Sequence, residues 1–225
     1  MQIINLSSDL IIDEFEQNYQ LHREQDFEYP TGLDEINIER NSVIISDNVL
    51  ECEEILESFS KYAQKKENFI ILFSASSYCD ENYNSGFVQK IVQSRFNAQN
   101  IILIGNRKFS SQEQEFLKKS KIKQFSEIND FEAAADYITE KANKKNIFVI
   151  IDMNVIDSAF APGVKNSEPL GLSAKEFFYL LRRILRVNGL KIINLAGIDI
   201  SIDAKYDYRT IKLGCKIIEE ILKNE

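Results

Sequence analysis

The residues best suited to chemistry are oxygen-bearing side chains that follow a short apolar run. Residues 147–151 are purely apolar, and Asp152, Asn154 and Asp157 come directly after them. Such a run predicts a buried parallel strand. Period-2 alternation then places Asp152 and Asn154 on the same face of the strand end, where the two side chains could share a cation.

Other predicted strands also end in polar residues. Asp47 follows a strand predicted over residues 43–46, and a serine-rich loop with Asp80 follows one predicted over residues 69–73. In open α/β sheets, ligands bind in the crevice at the carboxyl ends of the strands. These polar residues are therefore expected to line one crevice.

Strand and helix patterns alternate from Ser42 onward. Further strands are predicted over residues 2–6, 101–104, 122–125 and 191–200, and helices over 50–64, 85–95 and 209–223. Capping patterns at Ser110, Asp130 and Ser173 predict three more helix starts. Repeated βα units predict one α/β domain over residues 1–225, a three-layer α/β/α fold with a doubly wound, mostly parallel sheet. Residues 13–41 are polar and are predicted to form a surface excursion.

Composition excludes several classes of partner. The formal charge is 27 − 35 = −8, and a field of that sign repels nucleic acid and anionic membrane surfaces. Three cysteines without metal-ligand spacing predict reduced thiols in a cytoplasmic protein. No apolar run is long enough to span a membrane, and no secretory signal is expected at the N-terminus.

The stretch from Asp152 to Leu172 resembles the signature of the ureohydrolases, the family of arginase, agmatinase and formiminoglutamase. The family pattern is D-x-D-x-x-D-P-A-F-A-P-G followed by E-P-G-G-L, and this chain matches it without gaps. Asn154 stands where the family has its second Asp, and Ser158 where it has Pro. The resemblance covers about residues 42–223 and implies an arginase-like fold.

The resemblance also implies a site with two manganese ions, held by four aspartates and two histidines, that activates hydroxide. Asn48 stands at one histidine position, and Ser74, Ser76 and Tyr78 stand at the positions of the D-A-H-x-D motif. Asp152 is retained as a metal ligand, and Asn154 is a weaker, neutral oxygen ligand. One certain carboxylate undercompensates a divalent pair, so no binuclear cluster and no cofactor are expected. Glu168 and Asp203 stand at or near positions that imply ligand binding.

Two other interpretations of the carboxylates stay open. Asp152, Asn154, Asp157, Asp47 and Asp80 could form a one-metal oxygen site for calcium or magnesium. Alternatively, Asp152 and Asp157 could hydrogen-bond loop amides and hold the shape of the long loop. Nucleotide-phosphate motifs are absent from the sequence, and the single histidine, His22, offers no catalytic triad.

Three functional hypotheses follow. The first is a ureohydrolase-fold protein without the manganese site, which acts as a non-catalytic binding or regulatory subunit and pairs with itself or with an active relative. The second is a hydrolase of guanidino or amidino C–N bonds, with manganese or another metal in a remodelled site anchored by Asp152. The third is a passive structural subunit.

Overall fold

A computed structural model describes residues 2–7, 11, 15, 27–28, 41–53, 55–56, 59, 67–79, 86–93, 96–126 and 130–224. Its strands form one sheet in the order β2-β1-β3-β8-β7-β4-β5-β6, and every described strand pair is parallel. The strands are β1 Gln2–Asn5, β2 Phe27–Glu28, β3 Ser42–Ile45, β4 Asn68–Phe73, β5 Ile101–Ile104, β6 Lys123–Phe125, β7 Asn146–Asp152 and β8 Lys191–Ala196.

Helices cover both faces of the sheet. They are α1 Phe87–Gln93, α2 Ser111–Ser120, α3 Phe131–Lys141, α4 Ala174–Leu185, α5 Ile200–Asp203 and α6 Arg209–Lys223. Alternate residues of β7 enter two separate cores: Val149 packs in the core with α3, α4 and α6, and Ile150 in the core with α1 and α2. The predicted three-layer, doubly wound fold is confirmed.

Strand β7 lies at the centre of the sheet, between β8 and β4. All seven of its residues are buried, because neighbours cover it on both edges and helices cover it on both faces. This explains why its sequence is continuously apolar and does not alternate. The strand delivers Asp152 to the carboxyl edge of the sheet.

Side-chain capping was predicted at the start of three helices and is confirmed at two of them. Ser110 with Glu113, and Ser173 with Glu176, form complete capping boxes at α2 and α4. The prediction for Asp130 was wrong, because its backbone is already helical (φ −86°, ψ 0°) and its side chain caps nothing. An N-cap side chain reaches the first-turn amides from an extended backbone, which Asp130 does not adopt.

The last strand is shorter than its predicted range of 191–200. It ends at Ala196, because Gly197 adopts φ +87° and turns the chain. A β-carbon at Gly197 would lie only 2.5 Å from the Oδ1 atom of Asp152. The turn therefore lets the backbone pass close to the Asp152 carboxylate, and Asp199 then caps α5.

The surface excursion predicted over residues 13–41 lies mostly outside the described residues, and one of the few described side chains within it is buried. Phe15 is only 1% exposed, and its ring fills space next to Gly214 in α6, where a β-carbon would lie 2.9 Å away. Phe27–Glu28 forms a parallel pair with β1. The rest of that stretch lies outside the described residues. Among the helices that the structure describes, none is long and apolar enough to cross a membrane.

A pocket at the carboxyl ends of the central strands

A pocket of about 340 Å³ opens where β3, β4, β7 and β8 end. Its walls come from the segments that follow those strands, together with Ile11 and part of the long loop after β7: residues 47–49, 78, 152, 154, 164–166 and 197–201. The predicted crevice is thus present, and it brings Asp47, Asp152 and Asn154 together. Asp80 and His22 lie outside the described residues.

The carboxylate of Asp152 accepts three internal hydrogen bonds. Its Oδ2 atom accepts from the hydroxyl of Tyr78 at 2.6 Å and from Ser74 Oγ at 3.0 Å, and its Oδ1 atom accepts from the amide of Asn154 at 3.2 Å. The side chain is only 3% exposed. Burial raises the pKa of Asp152, and the hydrogen bond from Tyr78 is the largest opposing effect.

The side-chain oxygen of Asn154 is occupied in the same way. Asn154 Oδ1 accepts from the amide of Ala75 at 2.8 Å and from Ser74 Oγ at 3.1 Å. The Ser74 hydroxyl therefore lies between the two predicted metal ligands, and its single proton serves both oxygens. Ser74 acts as a bridge at a position where the family motif has an aspartate.

Tyr78 is the residue whose role sequence reasoning missed. Its backbone adopts φ +53°, a conformation that is uncommon for a residue other than glycine. That backbone brings the hydroxyl onto Asp152 while the side chain lines the pocket. Burial, and then the neighbouring Asp152 charge, raise the pKa of Tyr78, so the hydroxyl stays protonated and remains a donor. The match to the family motif located the position but not this contact.

Asp157 fixes the base of the long loop. Its Oδ1 atom accepts from the amide of Ala159 at 2.9 Å, and its Oδ2 atom accepts from the amide of Gly171 at 3.1 Å. These bonds, with that from Ala159 the largest effect, lower the pKa of Asp157. The interpretation of Asp157 as a loop-holding carboxylate is confirmed.

Glu168 and Asp203, the two candidate binding residues, make other contacts. The Glu168 carboxylate pairs with Lys108 Nζ at 2.9 Å. Asp203 is fully buried, and its oxygens accept from the amides of Thr210 at 3.0 Å and Ile211 at 2.9 Å, which fixes the start of α6. Neither residue is among those that line the described pocket, and their role in ligand binding stays a prediction.

Besides Asp47, the pocket rim carries two charged residues that sequence reasoning did not single out together. Asp199 and Lys165 both line the pocket, and the Lys165 charge helps to lower the pKa of Asp199. The largest cause of that lowering is the hydrogen bond from Ser201 Oγ, at 2.6 Å. The signal for Asp199 was the Gly-Ile-Asp sequence at 197–199, where glycine permits the turn.

The sequence model of the Arginase family matches residues 74–223, and the chain belongs to this family. A formimidoylglutamase of Staphylococcus epidermidis is 34% identical over 80 residues, which cover 36% of this chain and 25% of that protein. An uncharacterized 32.2 kDa protein of Methanothermus fervidus is 25% identical over 126 residues, 54% of this chain and 44% of that protein. The matched part thus spans less than half the length of either relative.

Solved structures share the fold at low sequence identity. The formimidoylglutamase of Bacillus subtilis superposes with a TM-score of 0.82 at 15% identity, covering 99% of this chain and 86% of that one. The arginase of Bacillus subtilis gives 0.80 at 14% identity, covering 99% and 98%. An arginase-like protein of T. brucei, solved as a quadruple mutant, gives 0.74 at 16% identity, covering 100% and 89%.

The donor set that the described residues bring to this pocket does not fit a binuclear manganese centre. Within the described ranges, no three His, Cys, Asp or Glu side chains converge in a way that could hold a metal ion. The oxygens of Asp152 and Asn154 already accept hydrogen bonds from hydroxyl and amide groups. One buried carboxylate cannot balance the charge of two divalent cations.

Proposed function

We propose that this arginase-family protein is a non-catalytic binding subunit without the binuclear manganese site. The observation that carries the proposal is the closed hydrogen-bond network in which Tyr78 and Ser74 occupy the oxygens of Asp152 and Asn154. A metal that bound Asp152 Oδ2 or Asn154 Oδ1 would compete with donors that are part of the fold. Displacement would also leave Ser74 and Tyr78 without partners inside a largely buried cluster.

A structural neighbour supports this interpretation. The T. brucei protein described as arginase-like was crystallised as a variant in which three serines are replaced by aspartate and one arginine by histidine. Aspartate and histidine are the residue types that suit manganese. The present chain also has serines, Ser74 and Ser76, where the family pattern has metal-ligating types.

The pocket is suited to a small molecule that carries a positive group. Asp47 and Asp199 line it, with Lys165 as the single cationic residue among the described lining residues. Apolar side chains such as Val164 and Ile198 complete the walls. This combination favours a ligand with a cationic end and an aliphatic body.

The proposal extends to assembly and location. Phe160 and Leu170, both on the long loop, are 42% and 69% exposed, and a protein contact through this loop would bury both. We expect a cytoplasmic subunit that associates with itself or with an active relative. Mass measurement in solution, with Leu170→Ser as the variant, tests this part.

The decisive test of function is hydrolysis of guanidino and amidino compounds in the presence of manganese. The proposal predicts no turnover by the purified protein and no difference between the wild type and Asp152→Ala. Turnover that Asp152→Ala abolishes, with the fold intact by circular dichroism, would establish the alternative of a hydrolase with a remodelled metal site.

A further inference from the structure

Arg107 makes an unusual set of contacts behind the pocket. All four N–H groups of its two terminal nitrogens point at backbone carbonyls: NH1 donates to Gly105 at 2.9 Å and Val155 at 3.1 Å, and NH2 to Asn154 at 2.8 Å and Glu168 at 3.0 Å. None of the hydrogen bonds described for Arg107 goes to a carboxylate oxygen. The guanidinium is therefore a cation surrounded by four backbone carbonyl dipoles.

The four carbonyls belong to three separate segments. Gly105 follows β5, Asn154 and Val155 follow β7, and Glu168 lies at the far end of the long loop. Asn154 lines one wall of the pocket, and Lys165, three residues before Glu168, lines the rim. The Arg107 contacts thus set the spacing between a pocket wall and the loop that faces it.

Without the guanidinium, these carbonyls would lose their shared donor. Arg107 is half-buried, and its desolvation lowers its pKa, while the charges of Asp157, Glu168 and Asp152 favour the charged form. The four bonds to carbonyls offset this cost, although the Nε–H group of Arg107 is buried without a hydrogen-bond partner among the described residues. The planar fork also suits four carbonyls in a way that a lysine ammonium cannot.

We infer that Arg107 is a positioning residue: its guanidinium is an internal cation that holds the long loop against the end of β7 and so shapes the pocket. The inference rests on the proposed function only in taking this pocket as the binding site.

The test is hydrogen exchange of the full-length protein with Arg107→Ala, followed by rescue with free guanidinium ion. We expect exchange of the amides of Asp157, Gly171 and Leu172 to rise by about tenfold or more, since each is hydrogen-bonded within the loop that Arg107 holds. Amides of α6 should be unchanged. About 50 mM guanidinium chloride, too dilute to unfold a domain, should restore protection, whereas equal potassium chloride should not.

Lys108→Ala is the matched control, because Lys108 is the adjacent cation and pairs with the Glu168 side chain instead of its carbonyl. The hydrogen-exchange rates of the loop amides in Lys108→Ala should stay within about twofold of the wild type, because an exposed ion pair contributes little to stability. Should Arg107→Ala fail to fold, Arg107→Lys carries the test and should show the same local rise in exchange.

Unchanged loop exchange in Arg107→Ala, or a uniform rise that includes α6, would overturn the positioning role. The positioning role would also be overturned if potassium chloride restored protection of the loop amides in Arg107→Ala as well as guanidinium chloride does. None of these measurements involves metal or catalysis. Failure of the proposed function would therefore leave the positioning role of Arg107 intact, and failure of the positioning role would leave the proposed function intact.

Discussion

Replacing Tyr78 by phenylalanine removes the shortest described hydrogen bond to Asp152 and leaves the aromatic ring in place. That bond is 2.6 Å long and joins a protonated hydroxyl to a buried carboxylate. Hydrogen bonds to charged groups stabilise proteins by about 1.5–3 kcal/mol. Since Ser74 and the Asn154 amide still serve Asp152, we expect a loss near 2 kcal/mol in the free energy of unfolding, about 4–8 °C in Tm.

Urea unfolding followed by circular dichroism measures this loss, with Tyr206→Phe as the control. Tyr206 is 46% exposed, and its hydroxyl makes none of the described hydrogen bonds, so its variant should stay within about 0.5 kcal/mol of the wild type. Repeating Tyr78→Phe in an Asp152→Asn background should cost about 1 kcal/mol less, because the acceptor is then neutral. A Tyr78→Phe variant as stable as the wild type, or an equal loss in both backgrounds, would refute the account of this network.

Three further predictions concern the same side of the molecule. The pKa of Asp152 is higher in the folded protein than in the unfolded chain. Below the pKa of the unfolded chain, near pH 4, protonated Asp152 makes its full contribution to stability. That contribution is lost as the pH rises through the pKa of the folded state. The wild type should therefore lose more stability than Asp152→Asn between about pH 4 and pH 8 in urea titrations. Gly163→Ala should cost about 2–3 kcal/mol or more in the same measurement, because its β-carbon would lie 2.2 Å from Asp203. Glu113→Gln should cost about 1–2 kcal/mol, since its carboxylate accepts from Ser77 Oγ and from the amide of Ser110.

Matched variants separate these effects from general damage. Ala159 is exposed on the loop that contains the buried Gly163, and Glu115 is exposed on the same helix as Glu113. Ala159→Gly and Glu115→Gln should each change stability by less than about 1 kcal/mol. Parallel pH profiles for the wild type and Asp152→Asn would contradict the raised pKa. Variants at 113 or 163 that match their controls would contradict the contacts described for those residues.

Much of the fold could be predicted because local signals and burial agree there. The apolar run at 147–151 specifies a central strand, and the capping boxes at Ser110 and Ser173 mark helix starts by reciprocal contacts only three residues apart. The end of β8 could not be predicted. It is set by the turn at Gly197, where the backbone passes close to Asp152, a residue far away in the sequence.

The position of the site could be predicted from the sequence, but the hydrogen bonds among its residues could not. Sequence placed Asp152, Asn154, Ser74 and Tyr78 at one edge of the sheet, yet it gave no sign that two hydroxyls would donate to the same carboxylate oxygen of Asp152. That outcome depends on the left-handed backbone of Tyr78, and its sequence neighbourhood contains no glycine that would announce such a conformation. The packing of Phe15 against Gly214 is likewise a contact between the two ends of the chain.

Manganese binding, measured by calorimetry and elemental analysis, tests the central claim most directly. The wild type should bind no manganese at millimolar concentration. A variant carrying Ser74→Asp, Ser76→His, Tyr78→Asp and Asn154→Asp should gain affinity, because it supplies carboxylate and imidazole ligands beside Asp152. Tight binding of about two ions per chain by the wild type would contradict the account and restore the metal-dependent hydrolase as the function of this protein.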